Sequence, residues 1–553
     1  MEEKRLFLIF YFLLSINVYA QEIVPPLDIP LFLSGNFGEL RGNHFHSGID
    51  FKTQGVTGKP VKSVKPGYIS RISVSPYGYG RAVYINHPDG TTTVYGHLDH
   101  FASKIETAVR DSQYVKESFS VYLNFSPETF PLKQGETFAY SGNTGGSGGP
   151  HLHFEIRNTE SEKPLDALSA FKNKLKDNRS PEIREIRIFP QSGKGIVNGS
   201  FENQSFKIIT DKEGNQILSS PIEVWGDIGF GVKAYDRMDE TSNIYGVREI
   251  ILKVSNEVIY HSVMDSFSFD DTRYLNSFID WEEWLASRSF FMKSFIDPGN
   301  YFDIYRSPHK GIVHISEEKN YPVEYILKDA YENTAVLKFN ITGKTDSIPK
   351  PVNEGLLFVY NRYNEYRGKG IEVSVPVKNL YANVYLKIDT TWNYSPYAPL
   401  YSLGEKTPLH NSCPLSLEIP NDTYRDKSKY GIVAVSGYGV SWLGGKYENG
   451  KIVTQIRELG QFSVTVDTVP PVITPVQSAK WAANRRIAFK ISDNLSGIAS
   501  YKGTMGGHFI LFEFDAKTQS LFYRYDEKRM PKGTHPLKLT VTDGAGNTSH
   551  WEK

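Results

Sequence analysis

Gly149-Pro150-His151-Leu152-His153-Phe154-Glu155-Ile156 reads as one β-strand opened by a glycine–proline step. Residues two apart on a strand project to the same face. Leu152 and Phe154 therefore enter a core on one side, and His151 and His153 point together on the other. Two imidazoles on one rigid strand can hold a metal and a catalytic base in fixed relation. An isolated pair reads first as a half-buried strand with satisfied histidines, so the neighbouring sequence has to decide.

Two further patterns lie upstream. Val94-Tyr95-Gly96-His97-Leu98 ends an apolar strand in a glycine and a histidine, a place from which a side chain leans over a cleft. Phe45-His46-Ser47-Gly48-Ile49-Asp50 offers an imidazole and a carboxylate, a nitrogen and oxygen pair suited to zinc. Taken singly, the first is more often structural and the second usually a hydrogen bond. Histidines 44, 46, 87, 97, 100, 151 and 153 nevertheless crowd one stretch of a chain that has 14 in all.

The sequence around these patterns is β-rich. Gly67 to Val74, Arg81 to His87 and Thr91 to Tyr95 are short β-branched and aromatic runs, and Pro88-Asp89-Gly90 between the last two is a hairpin signal. Phe101, Ile105, Ala108 and Val109 share a helical face, and Phe119 to Phe125 reads as a strand. Past residue 170 the chain continues as alternating runs and turns, a β-sandwich pattern. Proline-marked junctions at Ser180-Pro181, Pro349-Lys350-Pro351 and Pro470-Pro471 divide it into units of residues 21–170, 180–345, 350–466 and 468–553, the last immunoglobulin-like. Trp281 to Met292 reads as an aromatic helical insertion. Asp329 to Thr334 and Asp543 to Thr548 share Asp-x-x-x-Asn-Thr, which reads as a repeated hairpin turn rather than a calcium site.

Composition agrees. The chain has 553 residues, 34 Tyr and 33 Phe, and 62 basic residues balance 62 acidic ones for a net charge of +0. That length suggests several domains, and the balance excludes a nucleic-acid coat. Cys413 is the single cysteine, so no intrachain disulfide forms, and it reads as a small core residue. Lys4 and Arg5, the apolar run Leu6 to Ile16 and the small residues flanking Tyr19 have the layout of a signal peptide over residues 1–20. The expected mature protein is exported to a periplasm, envelope or exterior, with no transmembrane span left after cleavage.

In order and context, the three histidine patterns resemble the lysostaphin/LytM-type zinc metallopeptidases, which cut peptidoglycan cross-bridges. The resemblance runs from Phe37 to Asp166 and includes Pro66-Gly67, Gln134-Gly135-Glu136 and Ser141-Gly142-Asn143-Thr144-Gly145. It implies an N-terminal antiparallel-sheet peptidase domain in a mainly β protein. It further implies one zinc ion per chain held by His46, Asp50 and His153. Three protein ligands leave a fourth position for water, as in catalytic zinc sites. By the same resemblance His151 is the general base and His97 its partner, holding the water or stabilising the oxyanion. The glycine run from Gly145 to Gly149 would let bare backbone approach an extended peptide, which nominates Asn143, Gly145 and Gly149 as groove residues. His44, His87 and His100 match none of these positions and read as solvated or as supporting residues.

The expected function is an exported zinc-dependent endopeptidase acting on peptidoglycan peptides. Its β-sandwich modules would engage a protein or cell-wall partner or its own groove. The alternatives are a catalytically silent peptidase-like scaffold or activator, and a surface adhesin working through those modules. Which peptide bond is cut stays open.

Overall fold

Short β-branched and aromatic runs broken by Gly, Pro and Asp make strands across the whole chain. The computed structural model describes residues 22–214, 216–437 and 439–553. Strand accounts for 47% and helix for 8%, so the protein is mainly β. The expected targeting segment at 1–20 lies outside the described residues.

The N-terminal unit is built on one antiparallel sheet. Its main strands are β1 (Leu33–Gly35), β2 (Ile49–Lys52), β3 (Gly67–Val74), β4 (Arg81–Asn86), β5 (Thr91–Gly96), β6 (Val121–Asn124) and β7 (His151–Asn158). They lie in the order β1-β2-β7-β5-β4-β3-β6. The last of these strands in sequence, β7, is thus inserted between β2 and β5. Asp89 fixes the β4–β5 hairpin, accepting the Thr91 N–H at 3.1 Å and its hydroxyl at 2.6 Å. Helix α1 (Ser103–Val115) buries Ile105, Val109 and Gln113. A small sheet of Pro60–Lys62, Thr137–Tyr140 and His100–Phe101 completes the unit. Leu152 and Phe154 of β7 are fully buried, Phe154 edge-on to Tyr95 and Phe171.

Three further β units follow. A ten-stranded sheet runs through residues 182–343 and an eight-stranded sheet through 364–466. Two four-stranded sheets spanning 472–552 enclose one core, with Ile487, Phe489 and Leu521 meeting Leu539 and Val541. Cys413 is fully buried on the strand Leu400–Glu418 opposite Ile456, and burial pushes its thiol up to about 12.

The aromatic insertion is shorter than its sequence suggests. The helix covers only Trp281–Ser287, because Arg288 turns left-handed at φ 59° and ends it. Met292–Lys293 instead pairs as a strand with Glu223–Tyr235. His87 is also buried rather than solvated. Both ring nitrogens are satisfied, by the Pro66 carbonyl and the Thr93 hydroxyl, each at 2.8 Å.

Two of the later units pack directly against the first. Phe37 and Phe45, which flank the segment leading to His46, belong to the hydrophobic core of the second unit. Phe45 stacks on Phe302, and its N–H donates to the Thr272 hydroxyl at 2.9 Å. From the C-terminal unit, Glu513 forms a largely buried ion pair with Arg81 at 2.8 Å. Lys517 donates to the carbonyls of Asn143 and Ser147.

Candidate metal centre

Strand register brings the site together. On β7, His153 sits directly opposite Asp50 of β2 on one side and Gly96 of β5 on the other. A Cβ on residue 96 would lie 3.3 Å from Tyr79 and 3.4 Å from the His153 Cβ, so glycine leaves room for the histidine ring. His46 precedes β2 and reaches back over Asp50. His46 Nε2, Asp50 Oδ1 and His153 Nδ1 converge: the distances are 3.1 Å from His46 to each of the other two, and 2.9 Å between His153 and Asp50. Ligands at zinc bond lengths on a tetrahedron lie about 3.3 Å apart. All three residues are buried.

Each residue has its far atom tied down, which aims the near atom at the centre. His46 Nδ1 donates to the Asn36 carbonyl at 2.7 Å, leaving Nε2 to face inward. Asp50 Oδ2 accepts from Arg41 at 3.2 Å. His153 Nε2 donates to Glu155 Oε1 at 2.8 Å. Glu155 in turn accepts from Ser47, Tyr79 and Arg157, each at 2.6 Å. Outer partners of this kind set which nitrogen is free and raise its basicity toward a metal. The donor set of two imidazoles and one carboxylate, so oriented, fits zinc.

His97 and His151 stand beside this cluster. Their ring centroids are 4.8 Å apart, and His97 lies 5.8 Å from His153. His97 adopts the left-handed backbone, φ 59°, an uncommon state for a residue with a side chain. Its Nδ1 donates to the Thr144 carbonyl at 2.8 Å. His151 Nδ1 donates to the Gly149 carbonyl at 2.8 Å, and its Nε2 lies 3.4 Å from Asp50 Oδ1. Both rings thus turn Nε2 away from the loop 143–149 that holds them.

The electrostatics follow from burial and pairing. Burial first, then His153 and His151, push His97 down to about 3, so its ring is neutral. Burial opposes charge on His153, but Asp50 and Glu155 on its two nitrogens outweigh it and push the ring up to about 9. Burial likewise opposes charge on Asp50, yet its three histidine neighbours hold it well below the usual carboxylate range. Glu155 is held low against burial by His153 and Arg157. A metal ion therefore competes with a proton for His153 Nδ1.

The nominated groove residues sit on the loop 143–149. Gly145 is left-handed at φ 70°, and a Cβ there would lie 2.3 Å from the Gly80 nitrogen, so this glycine is required by packing against the 78–80 turn. A Cβ on Gly149 would meet nothing within 4 Å. Asn143 is engaged by Lys517 through both its carbonyl and its side chain. His44 and His100 are exposed, each bonded at 2.8 Å to its preceding residue, and His100 stacks on Tyr140.

Sequence reasoning missed Asn36, Arg41, Tyr79 and Glu155. One signal was available. The two-residue step that pairs His151 with His153 continues to Glu155 and Arg157, placing four polar side chains on one face of a strand.

Residues 44–127 match the model of peptidase family M23, and residues 356–467 match that of a Zu5-like domain. The chain thus carries an M23 peptidase domain. The match contains His46, Asp50 and His97 and ends before His151. Among curated proteins, the DD-carboxypeptidase/endopeptidase Mpg of Neisseria meningitidis serogroup B is 35% identical over 112 residues, 20% of this chain and 20% of that protein. The peptidoglycan DD-endopeptidase ShyB of Vibrio cholerae serotype O1 is 33% identical over 127 residues, 23% of each. The chain thus spans about a fifth of the length of the curated relatives it matches. Among solved structures, the catalytic domain of lysostaphin from Staphylococcus simulans is 25% identical, covers 25% of this chain and 90% of that one, and has a TM-score of 0.19. A zinc-containing peptidase from Vibrio cholerae is 27% identical, covers 26% and 38%, and has a TM-score of 0.19. No helix among the described residues is long and apolar enough to cross a membrane.

Proposed function

We propose that this chain, which carries an M23 peptidase domain, is an exported zinc-dependent endopeptidase that hydrolyses peptide cross-links or stem peptides of peptidoglycan. One observation carries the reading. His46 Nε2, Asp50 Oδ1 and His153 Nδ1 converge within 3.1 Å, each aimed by a second hydrogen bond, with His97 and His151 beside them. The names of the curated relatives support the substrate class, and the apolar run at residues 6–16 supports export.

His46, Asp50 and His153 would hold the zinc. When bound, it supplies a Lewis acid that polarises the scissile carbonyl and lowers the pKa of water to about 7. His151 acts as general base. With Nδ1–H committed to the Gly149 carbonyl, its Nε2 is free to take a proton from the attacking water and return it to the departing amine. His97 is neutral and donates through Nδ1, so its Nε2 is an acceptor. It orients the water rather than donating to the oxyanion. The loop of Asn143, Gly145 and Gly149 would border the substrate, with Gly149 the residue whose open space admits a peptide backbone. The later β units would engage a cell-wall or protein partner.

The test is zinc content and muropeptide release for wild type and His153→Ala. Zinc near one per chain, with release abolished in the variant, supports the reading. Zinc without release would make the domain a silent scaffold and overturn it.

A further inference from the structure

Three aspartates converge at the junction between the first and second units. Asp177 lies in the linker before the strand Glu182–Val197, Asp236 directly follows Glu223–Tyr235, and Asp329 opens the Asp-x-x-x-Asn-Thr turn. One carboxylate oxygen from each lies within 4.8 Å of the other two. Their exposures are 7%, 3% and 2%. Oxygens around a single calcium ion, bonded at 2.3–2.6 Å, lie up to about 5 Å apart.

Asp329 serves its turn as well. Its Oδ1 accepts the N–H groups of Tyr331 and Asn333 at 2.7 and 2.9 Å, and its Oδ2 accepts the Asn333 amide at 2.7 Å. Asp177 Oδ1 accepts the Arg179 N–H at 3.1 Å. Asp177 Oδ2 and Asp236 Oδ1, in contrast, are buried and reached by no N–H or O–H donor, although the Asp177 and Asp329 carboxyls lie close enough to share a proton. Among the described residues, no Lys or Arg side chain hydrogen-bonds or ion-pairs with any of the three. Burial first, then the neighbouring carboxylates, raise Asp177 to about 7 and Asp236 to about 8. Buried charge left without a partner is strongly unfavourable, so the arrangement calls for a counter-charge.

A second cluster provides the comparison. Asp467, Asp493 and Asp543 gather at the linker to the C-terminal unit. Asn547 bridges Asp543 Oδ2 and the Asp467 carbonyl there, as Asn333 bridges Asp329 Oδ2 and the Asp177 carbonyl. At that second junction, backbone N–H groups of Val469 and Ser496 reach both oxygens of Asp467, and those of Leu495 and Gly497 reach Asp493. At the first junction backbone N–H groups reach one oxygen of Asp177, from Arg179, and also Asp236, from Arg237, and Asp329. The same turn is built twice; the second copy leaves one unpartnered oxygen, Asp493 Oδ1 on a half-buried residue, whereas the first leaves one on each of two buried aspartates.

We propose that Asp177, Asp236 and Asp329 bind a calcium ion that locks the linker between the peptidase unit and the second unit. Hard oxygen ligands and a net charge of three carboxylates suit this cation. The site also reaches toward the zinc cluster. Asp236 exchanges backbone hydrogen bonds with Tyr245, whose hydroxyl donates to the Leu33 carbonyl at 2.8 Å. The next residue, Gly246, pairs with the side chain of Asn36, and the Asn36 carbonyl holds His46. Calcium would thus brace the segment that aims a zinc ligand, independently of what that zinc does.

The test uses the full chain, zinc-loaded and stripped of calcium. Bound calcium is counted by equilibrium dialysis, and the thermal midpoint is followed against calcium chloride. Wild type should bind calcium and unfold at a higher temperature in its presence. Asp236→Asn and Asp177→Asn should each lose one calcium equivalent and the shift, whereas Asp493→Asn should keep both. Asp177 lies outside regular structure, so its variant serves if Asp236→Asn does not fold. Wild type that binds no calcium overturns the proposal. So does an Asp236→Asn chain binding as much as wild type, or a midpoint that follows pH between 6 and 9 but ignores calcium, which would mean a shared proton holds the cluster.

Discussion

Glu155 Oε1 accepts the Nε2–H of His153 at 2.8 Å, on the side of the ring opposite Asp50. The two residues stand two apart on one strand, so the backbone itself holds this pair. The contact decides which nitrogen of His153 faces His46 and Asp50, the candidate metal ligands. Glu155→Gln keeps the shape but loses the carboxylate, and zinc affinity should fall about 10–100-fold. Chelator competition reads it directly; an unchanged dissociation constant would show that Glu155 does not tune the ligand.

The two histidines of β7 should fail in different ways. His153→Ala removes a proposed ligand, so zinc and peptide release should be lost together. His151→Ala should retain zinc near one per chain while the rate falls by about 10²–10⁴-fold, the usual range for a general base. Metal analysis and turnover on the same preparations separate them. Loss of zinc in His151→Ala would move that residue into the ligand set.

Zinc affinity should rise with pH. The His153 ring is raised to about 9, so below that pH a proton occupies the nitrogen proposed to bind the metal. The sign is fixed: acid favours the protonated ring and releases zinc, base favours the free nitrogen and zinc binding. Between pH 6 and 8 the logarithm of the affinity should climb by about one per pH unit. A flat profile over that window would contradict the pairing of His153 with Asp50 and Glu155.

Arg81 and Glu513 join the first and last units through a largely buried ion pair of 2.8 Å. Burial opposes both charges, and Arg81 holds Glu513 below its ordinary range. Glu513→Ala would leave the largely buried Arg81 without its partner, a change that costs up to about 3–5 kcal/mol when burial is complete. Denaturant unfolding of the full chain measures it. A loss under about 1 kcal/mol would mean that water reaches Arg81 and the two units are not clamped there.

Lys517 is expected to act on rate rather than on metal. Its ammonium donates to the carbonyls of Asn143 and Ser147 on the loop whose Thr144 and Gly149 carbonyls orient His97 and His151. Lys517→Ala should leave zinc content unchanged, speed hydrogen exchange in residues 143–149 and slow peptide release. Misplacing a catalytic group by an ångström costs up to about 10²-fold. Unaltered exchange in that loop would remove Lys517 from any such role.

The local chemistry was legible in sequence because it rests on short-range rules. Two-residue alternation put His151 and His153 on one face, Asp89-Gly90 made the β4–β5 hairpin, and the apolar spacing of Ile105 and Val109 made α1. The same alternation carried Glu155, whose role passed unread because a carboxylate on a strand says nothing until the opposite ring nitrogen has a partner. Trp281 to Met292 misled because an aromatic run does not reveal that Arg288 will turn left-handed.

Sequence by itself determined which side chains share a strand face and therefore which pairs could meet. Tertiary structure alone decided that β7 would sit between β2 and β5, setting His153 against Asp50 about a hundred residues away in the chain. It also decided that Phe45 would anchor in the second unit and Lys517 would reach the 143–149 loop. Register and docking depend on the summed packing of whole surfaces, and no short window of residues contains that sum.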